Sequence, residues 1–308
     1  MARRRRGLPV HGWVVLDKPL GMTSTQAVAA VRRSTGAAKA GHGGTLDPLA
    51  TGLLPVALGE ATKTVPYVMD GTKRYRFTIR WGEERSTDDA EGAVTATSDH
   101  RPPEAEIRTA LSEFIGLIEQ LPPQFSALKV DGARAYDLAR AGEAVALAAR
   151  QIRIDRFTLV DQPDADHATF EVQSGKGAYM RSLARDLARR LGTVGHIASL
   201  RRTAVGPFTE ADAISLETLS AVGHSAAASG HLLPVETALD DIPALALTDT
   251  EANRLRSGQP VGLLRRADRE RIGHLESGSM VCAMAGGKPV ALARFESGDL
   301  RPVRVLNL

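Results

Sequence analysis

The sequence predicts an α+β fold, on three observations. Segments whose hydrophobic residues alternate with period two are interspersed with segments of 3.6-residue period. The two kinds do not alternate regularly and no glycine-rich crossover fingerprint follows a strand, which argues against a doubly wound nucleotide-binding fold. A composition shift over residues 220–242 separates the body from a short tail rich in strand-like pieces. With 308 residues, 43% hydrophobic and 24% charged, the chain has the balance of an ordinary globular protein of about two domains.

Taken in order, the apolar run Trp13–Leu16 reads as a short strand closed by a Lys18-Pro19 turn. Thr23 and Gln26 have capping-box spacing for a helix that ends at Gly36. In "KRYRFTIRWG", Tyr75, Phe77, Ile79 and Trp81 alternate with Arg74, Arg76, Thr78 and Arg80, giving a half-buried strand with a basic outer face. Ile107, Ala110, Leu111, Phe114, Ile115 and Ile118 fall at helical spacing and predict one amphipathic helix. "RQIRIDRFTLV" and "HATFEVQSG" predict two more strands. After Gly175 and Gly177 the period changes, and Met180, Leu183, Ala184, Leu187, Ala188 and Leu191 form one apolar helical stripe that Gly192 is placed to stop. Arg181 and Arg185 lie one turn apart, off that stripe. "SAVGHSAAASGHLLPVETALDDIP" predicts a loosely ordered connection, and the strand-like pieces after it a compact β-rich module of about 65 residues.

The formal charge of +3 hides an uneven distribution, since removing Arg3, Arg4, Arg5 and Arg6 leaves −1. Lys176, Arg181, Arg185, Arg189, Arg190, Arg201 and Arg202 cluster against Asp186 alone, a footprint expected for a polyanion such as nucleic acid. No stretch is long and apolar enough for a spanning helix, and the N-terminus has no apolar signal core. The single cysteine, Cys282, excludes an intrachain disulfide and points to a reducing, cytoplasmic setting. The eight histidines show no metal-binding spacing, so no metal is expected.

One stretch concentrates the chemistry. "GHGGTLDPLATG" places a single acid, Asp47, among glycines. The phosphate-loop reading fails, because G-x-x-x-x-G-K-[ST] and G-x-G-x-x-G are both absent; a tight turn without ligand is the commoner meaning of such a cluster. A glycosidase needs two carboxylates about 5–10 Å apart, and Asp47 has no sequence-local companion, although the fold could bring Asp89 to it. A single carboxylate can still act as nucleophile or base when an arginine keeps it ionised and fixed. Arg181, at the head of the basic helix, is the candidate partner; buried Asp–Arg pairs are at least as often structural.

"GHGGTLDPLATGLLPVALGEATK" resembles the catalytic signature of the tRNA pseudouridine synthase B (TruB) family. Four further segments agree with that family in order: "LDKPLGMTS", "KRYRFTIRWG…DDAEG", "PPQFSALKVDGARAYDLARAG" and "GKGAYMRSLARDLARRLG…LRRT". The resemblance spans roughly residues 8 to 210. The tail, with "LRSGQPV" and "LRPVRV", looks like the small RNA-binding PUA module, on weaker motifs. Ser174, Phe125, Ala178 and Met180 depart from the usual cysteine, tyrosine, threonine and isoleucine, and none of them removes a reactive group.

The resemblance implies an α+β architecture: a basic arm (1–10), a pseudouridine synthase catalytic domain with a mixed, mainly antiparallel sheet (11–240), and a β-rich PUA-like domain (241–308). It implies isomerisation of uridine to pseudouridine at position 55 of the tRNA T loop, without cofactor or metal. Asp47 would act at the ribose of a flipped-out nucleotide, either by attack at C1′ or by taking the C2′ proton. Tyr75 would stack on the uracil, Arg181 pair with Asp47, and Leu200 close over the base. His42, Asp89, Lys176, Tyr179 and Lys18 would contact the substrate. Extruding a base from a folded loop costs about a few kcal/mol, to be offset by phosphate contacts for which Lys176, Arg201, Arg202 and the arginine arm are candidates. The expected partner is the T-arm stem-loop of tRNA, with no membrane and no obligate protein partner, the enzyme acting as a monomer. Two other classes stay open at this level: an RNA-binding or RNA-folding protein without turnover, and a hydrolase using Asp47 on another glycosidic bond.

Overall fold

A computed structural model describes residues 7–126, 129–130, 133–134, 147–222, 230–265 and 268–308; the N-terminal arginine arm lies outside them. Chain order begins with strand β1 (Gly12–Lys18) and helix α1 (Ser24–Thr35). The Thr23 hydroxyl accepts the Gln26 N–H while the Gln26 side chain accepts the Thr23 N–H, and Gly36 stops the helix at φ 65°. Both ends of α1 are therefore set by the residues the sequence singles out. There follow β2 (Ala40–His42), β3 (Ala50–Leu58), α2 (Val65–Asp70), β4 (Lys73–Trp81), the hairpin β5 (Glu83–Arg85) and β6 (Val94–Thr97), α3 (Glu104–Leu111) and β7 (Gly116–Gln120). A two-residue hairpin, β8 (Lys129–Val130) and β9 (Ala133–Arg134), precedes β10 (Arg150–Asp161), β11 (His167–Ser174), α4 (Met180–Arg190), β12 (Gly195–Val205), β13 (Phe208–Thr209), β14 (Ala213–Ser215) and α5 (Leu216–Val222).

The main sheet runs β14-β1-β3-β12-β4-β11-β10-β7, with β2 and β13 attached to β3 and β12. β1 with β14 and β3 with β12 are parallel; every other pairing in it is antiparallel. The sheet is thus mixed and mainly antiparallel. Its centre parts, because β3 pairs β12 only from Ala50–Gly52 to Leu200–Arg202, whereas β12 continues alongside β4 as far as Gly195. Before Ala50 the chain leaves the sheet as the loop that carries Asp47.

The stripe predicted on α4 packs on Phe77, Ile79, Phe170 and Val172 of β4 and β11. α1 packs Ala27 and Val31 on Val14, Leu16, Leu54 and Val56. Leu200 touches both clusters, at the point where the sheet parts. On the other face of β4, Arg74 and Arg76 are exposed, as the alternation predicts.

Two expectations fail locally. The predicted helix over residues 107–118 ends at Leu111, followed by a 3-10 turn, Ser112–Phe114, and Gly116 at φ 100°. Ile118 therefore belongs to β7 and pairs with Ile152. The apolar spacing runs on, but the backbone is already extended at Ile115, and Gly116 makes the turn into β7. The expected loose connection is also packed where it is described: Leu233 bridges Trp13, and Val235 and Ala238 are buried with Trp13, Val205 and Phe208.

A second, five-stranded sheet follows, made of β15 (Ala244–Ala246), β16 (Val261–Gly262), β17 (Met280–Ala285), β18 (Lys288–Glu296) and β19 (Asp299–Val305) in the order β15-β17-β18-β19-β16. It has its own core, including Leu255, Val281, Val290 and Leu300. The tail ties it to the larger body: Leu306 enters the Trp13–Phe208 cluster. The Lys63 ammonium donates to the Val305 carbonyl at 2.7 Å, and Glu60 accepts the Asn307 N–H at 2.8 Å. No described helix is long and apolar enough to cross a membrane.

Candidate active site

The loop before β3 is shaped by close approach. A Cβ at Gly43 would lie 2.7 Å from the Val68 side chain, and Gly44 takes φ 129°; neither position tolerates an ordinary residue without displacement. Below it, the Arg202 guanidinium donates from Nε to the Leu53 carbonyl at 2.8 Å, from Nη1 to Thr45 at 3.3 Å and from Nη2 to Gly44 at 3.0 Å. Lys18, fully buried, donates to the carbonyls of Met22 at 2.7 Å, Pro19 at 3.0 Å and Pro48 at 3.3 Å. Leu46 anchors in the α1 cluster, its N–H donating to Ser24 Oγ at 2.8 Å. Asp47 is thereby held by its neighbours on both sides.

The Asp47 carboxylate, partly exposed, meets Arg181 Nη2 at 2.9 Å. Arg181 is buried, at the first turn of α4, and also donates to the Thr87 carbonyl at 3.0 Å and the Phe125 carbonyl at 2.7 Å. Its Nε lies 3.6 Å from Asp89 Oδ2. Asp89 is buried and turned inward, its Oδ1 accepting from the Thr87 hydroxyl and the Glu91 N–H. Arg185, one turn on, pairs with Asp88 at 3.0 Å and fixes the same acidic loop. Two carboxylates thus flank one guanidinium, and only Asp47 reaches open space.

That space is a cleft of about 380 Å³ lined by Asp47, Tyr75, Lys176, Tyr179, Leu200 and Arg202, with Met69, Lys73 and Arg150 completing its rim. Tyr75 and Leu200 project from β4 and β12. The Arg150 guanidinium lies 5.0 Å from the centre of the Tyr179 ring, and Gln120 holds the Tyr179 backbone with bonds of 2.8 and 3.1 Å. Lys176 is exposed and pairs with Asp70 at 2.6 Å. His42 ends β2, and its Nδ1 accepts the Gly44 N–H at 3.3 Å.

Burial pushes the Lys18 ammonium down to about 8, against the opposing pull of Asp47, and the Lys73 ammonium likewise to about 8. Desolvation also lowers Arg202, with Tyr75 and Asp47 acting in the opposite direction. The site is a cation-rich pocket around one accessible carboxylate.

The structure brings Asp47, Tyr75, Arg181, Tyr179, Lys176 and Leu200 to one cleft, with Asp89 behind Arg181. Lys18 differs from the substrate contact expected of it: without exposed surface, it supports the loop from below. The basic pair after Leu200 differs too. Arg201 is engaged bidentately by Asp17 at 2.9 and 3.0 Å and by Glu210 at 2.8 Å, and Arg202 is buried, so neither presents a free cation to phosphate. Lys73 and Arg150 are cleft residues that sequence reading misses; only their place in the parted sheet reveals them. Among the described residues no group of three or more His, Cys, Asp or Glu is placed to hold a metal ion.

A solved structure described as a Cbf5-Nop10-Gar1 complex contains a chain of the same fold, with TM-score 0.72 and 25% identity, covering 100% of this chain and 90% of that one. Matches to family models place the protein among the pseudouridine synthases. Residues 32–180 match the TruB family pseudouridylate synthase N-terminal domain, and residues 181–240 the tRNA pseudouridylate synthase B C-terminal domain. The tRNA pseudouridine synthase B of Rhodospirillum rubrum is 57% identical over 308 residues, covering 100% of both chains. That of Gluconacetobacter diazotrophicus is 59% identical over 305 residues, covering 99% of this chain and 100% of the relative. The chain belongs to the TruB family.

Proposed function

We propose that this enzyme isomerises uridine to pseudouridine at position 55 in the T loop of tRNA, with Asp47 acting on the ribose of a flipped-out nucleotide. The observation that carries the reading is the Asp47–Arg181 ion pair of 2.9 Å, which leaves the carboxylate oriented and facing a cleft. The reaction breaks the C1′–N1 bond, turns the uracil, joins C1′ to C5, loses the C5 proton to solvent and takes a proton onto N1. One accessible carboxylate suffices, either as nucleophile at C1′ or as base toward the C2′ proton. Tyr75 offers a plane for the extruded uracil and Leu200 closes over it. His42, Tyr179 and Lys176 hold the flipped nucleotide, and Asp89 acts through Arg181. The C-terminal sheet serves as a PUA-like RNA-binding module, and the enzyme works as a monomer in the cytoplasm without cofactor.

The test is a T-arm stem-loop carrying tritium at uracil C5. Label released to water with pseudouridine recovered in the RNA supports the proposal. Binding without release would assign an RNA-binding role instead, and free uracil a hydrolase.

A further inference from the structure

Arg202 has no role in the chemistry above, yet its setting is unusual. It is among the largest fully buried side chains of the protein, and among the described residues no carboxylate lies within ion-pairing distance of it. A buried cation without a direct ion-pair partner depends chiefly on its hydrogen bonds. Those it makes are not spread at random. Nη1 and Nη2 go to the Thr45 and Gly44 carbonyls, in the loop that ends at Asp47, and Nε goes to the Leu53 carbonyl on β3. Across the sheet, Arg202 is the register partner of Tyr75 on β4, and both residues line the cleft. The parallel β3–β12 contact is three pairs long, with Arg202 opposite Gly52 at one end and the sheet parting before Ala50 at the other, so few backbone bonds tie the Asp47 loop to β4. The guanidinium fork spans that gap. Gly52 opposite is part of the arrangement, since a Cβ there would lie 2.2 Å from the Arg202 carbonyl oxygen.

We infer that Arg202 is a positioning residue of this site, a buried cation that fixes the distance between the Asp47 loop and Tyr75 on β4 and so acts on the reaction through them. The inference rests on the function proposed above. It sets Arg202 apart from a phosphate-binding arginine, which would act on affinity, and from a purely structural one, which would act on folding alone.

The test uses the full chain, single-turnover tritium release from the T-arm stem-loop, and the dissociation constant of the same RNA. Arg202→Met is expected to slow single turnover about 100-fold, with the dissociation constant unchanged within about threefold. Arg202→Lys keeps the charge but not the fork, and is expected to stay well below the wild-type rate; it decides the matter if Arg202→Met does not fold. Combined with Tyr75→Phe, either variant should lose less than the product of the two single losses, because the residues act as a unit. Wild-type rates in both variants would overturn the inference, as would a loss in affinity matching the loss in rate, full additivity with Tyr75→Phe, or a deficit that disappears at low temperature where a weakened fold is fully populated. The wild-type arm is read first: if it forms no pseudouridine on this RNA, the failure belongs to the proposed function and not to Arg202.

Discussion

Raising the pH from 7 to 9 should slow this enzyme about tenfold through a lysine buried beneath the Asp47 loop. The Lys18 ammonium is pushed from its ordinary 10.5 down to about 8 by burial, against the pull of Asp47. For a group at about 8, the charged fraction falls from about nine-tenths at pH 7 to about one-tenth at pH 9. Over that window the support beneath Pro48 loses its charge, and Asp47 loses a neighbouring cation. The single-turnover rate should therefore fall about tenfold per pH unit above pH 8 if only the charged form supports the loop. Stability should move in the opposite direction. The folded state holds Lys18 below its unfolded value, so between about 8 and 10.5 the unfolded chain binds more protons, and this residue's contribution to stability rises with pH by about 3 kcal/mol. That contribution is lost again as pH falls through the folded value. Single-turnover rates and thermal midpoints measured together from pH 6.5 to 9 check both signs. Lys18→Met should show a low rate with no alkaline limb in this range, whereas Lys73→Met should keep the limb, because Lys73 donates to Met69 and Gly71, outside the Asp47 loop. A limb that survives in Lys18→Met would refute the reasoning.

Arg181→Met should slow single turnover about 1,000-fold and cost about 3 kcal/mol of stability, the low end for a broken buried pair because Asp47 is partly exposed; rates and denaturant titration measure the two effects. Gly52→Ala, at φ 96° with its Cβ against the Arg202 carbonyl, should destabilise the fold by about 3 kcal/mol, read from the midpoint of urea unfolding. Cys282 is buried and its thiol pushed up to about 11, so it should resist maleimide at pH 7.5 in the folded protein and label fully once urea unfolds the chain.

What was legible in the sequence was what neighbours in sequence decide. The Thr23–Gln26 box, the stop at Gly36, the alternation of β4 and the stripe of α4 each depend on contacts within one element, and each is found. The spacing over residues 107–118 suggests one helix because apolar residues keep helical intervals past its end at Leu111, through a 3-10 turn and into β7. The alanine- and proline-rich stretch looked unstructured, yet Val235 and Ala238 fill a cavity made by Trp13 and Phe208 from distant strands, which no local pattern announces. In the site, Asp47 and Arg181 were recognisable through their motifs, more than a hundred residues apart. The motifs suggest a substrate contact for Lys18 and a phosphate contact for Arg202, and only the fold shows that the donors of both are spent on carbonyls.

Asp47→Asn measured on C5-tritiated T-arm RNA tests the central claim most directly. The substitution keeps size and leaves Arg181 a neutral acceptor, but removes the carboxylate proposed to act on the ribose. Binding within about threefold of wild type, with no label released and no pseudouridine formed, is the expected result. Turnover at or near the wild-type rate would show that Asp47 is not the group on which the chemistry depends.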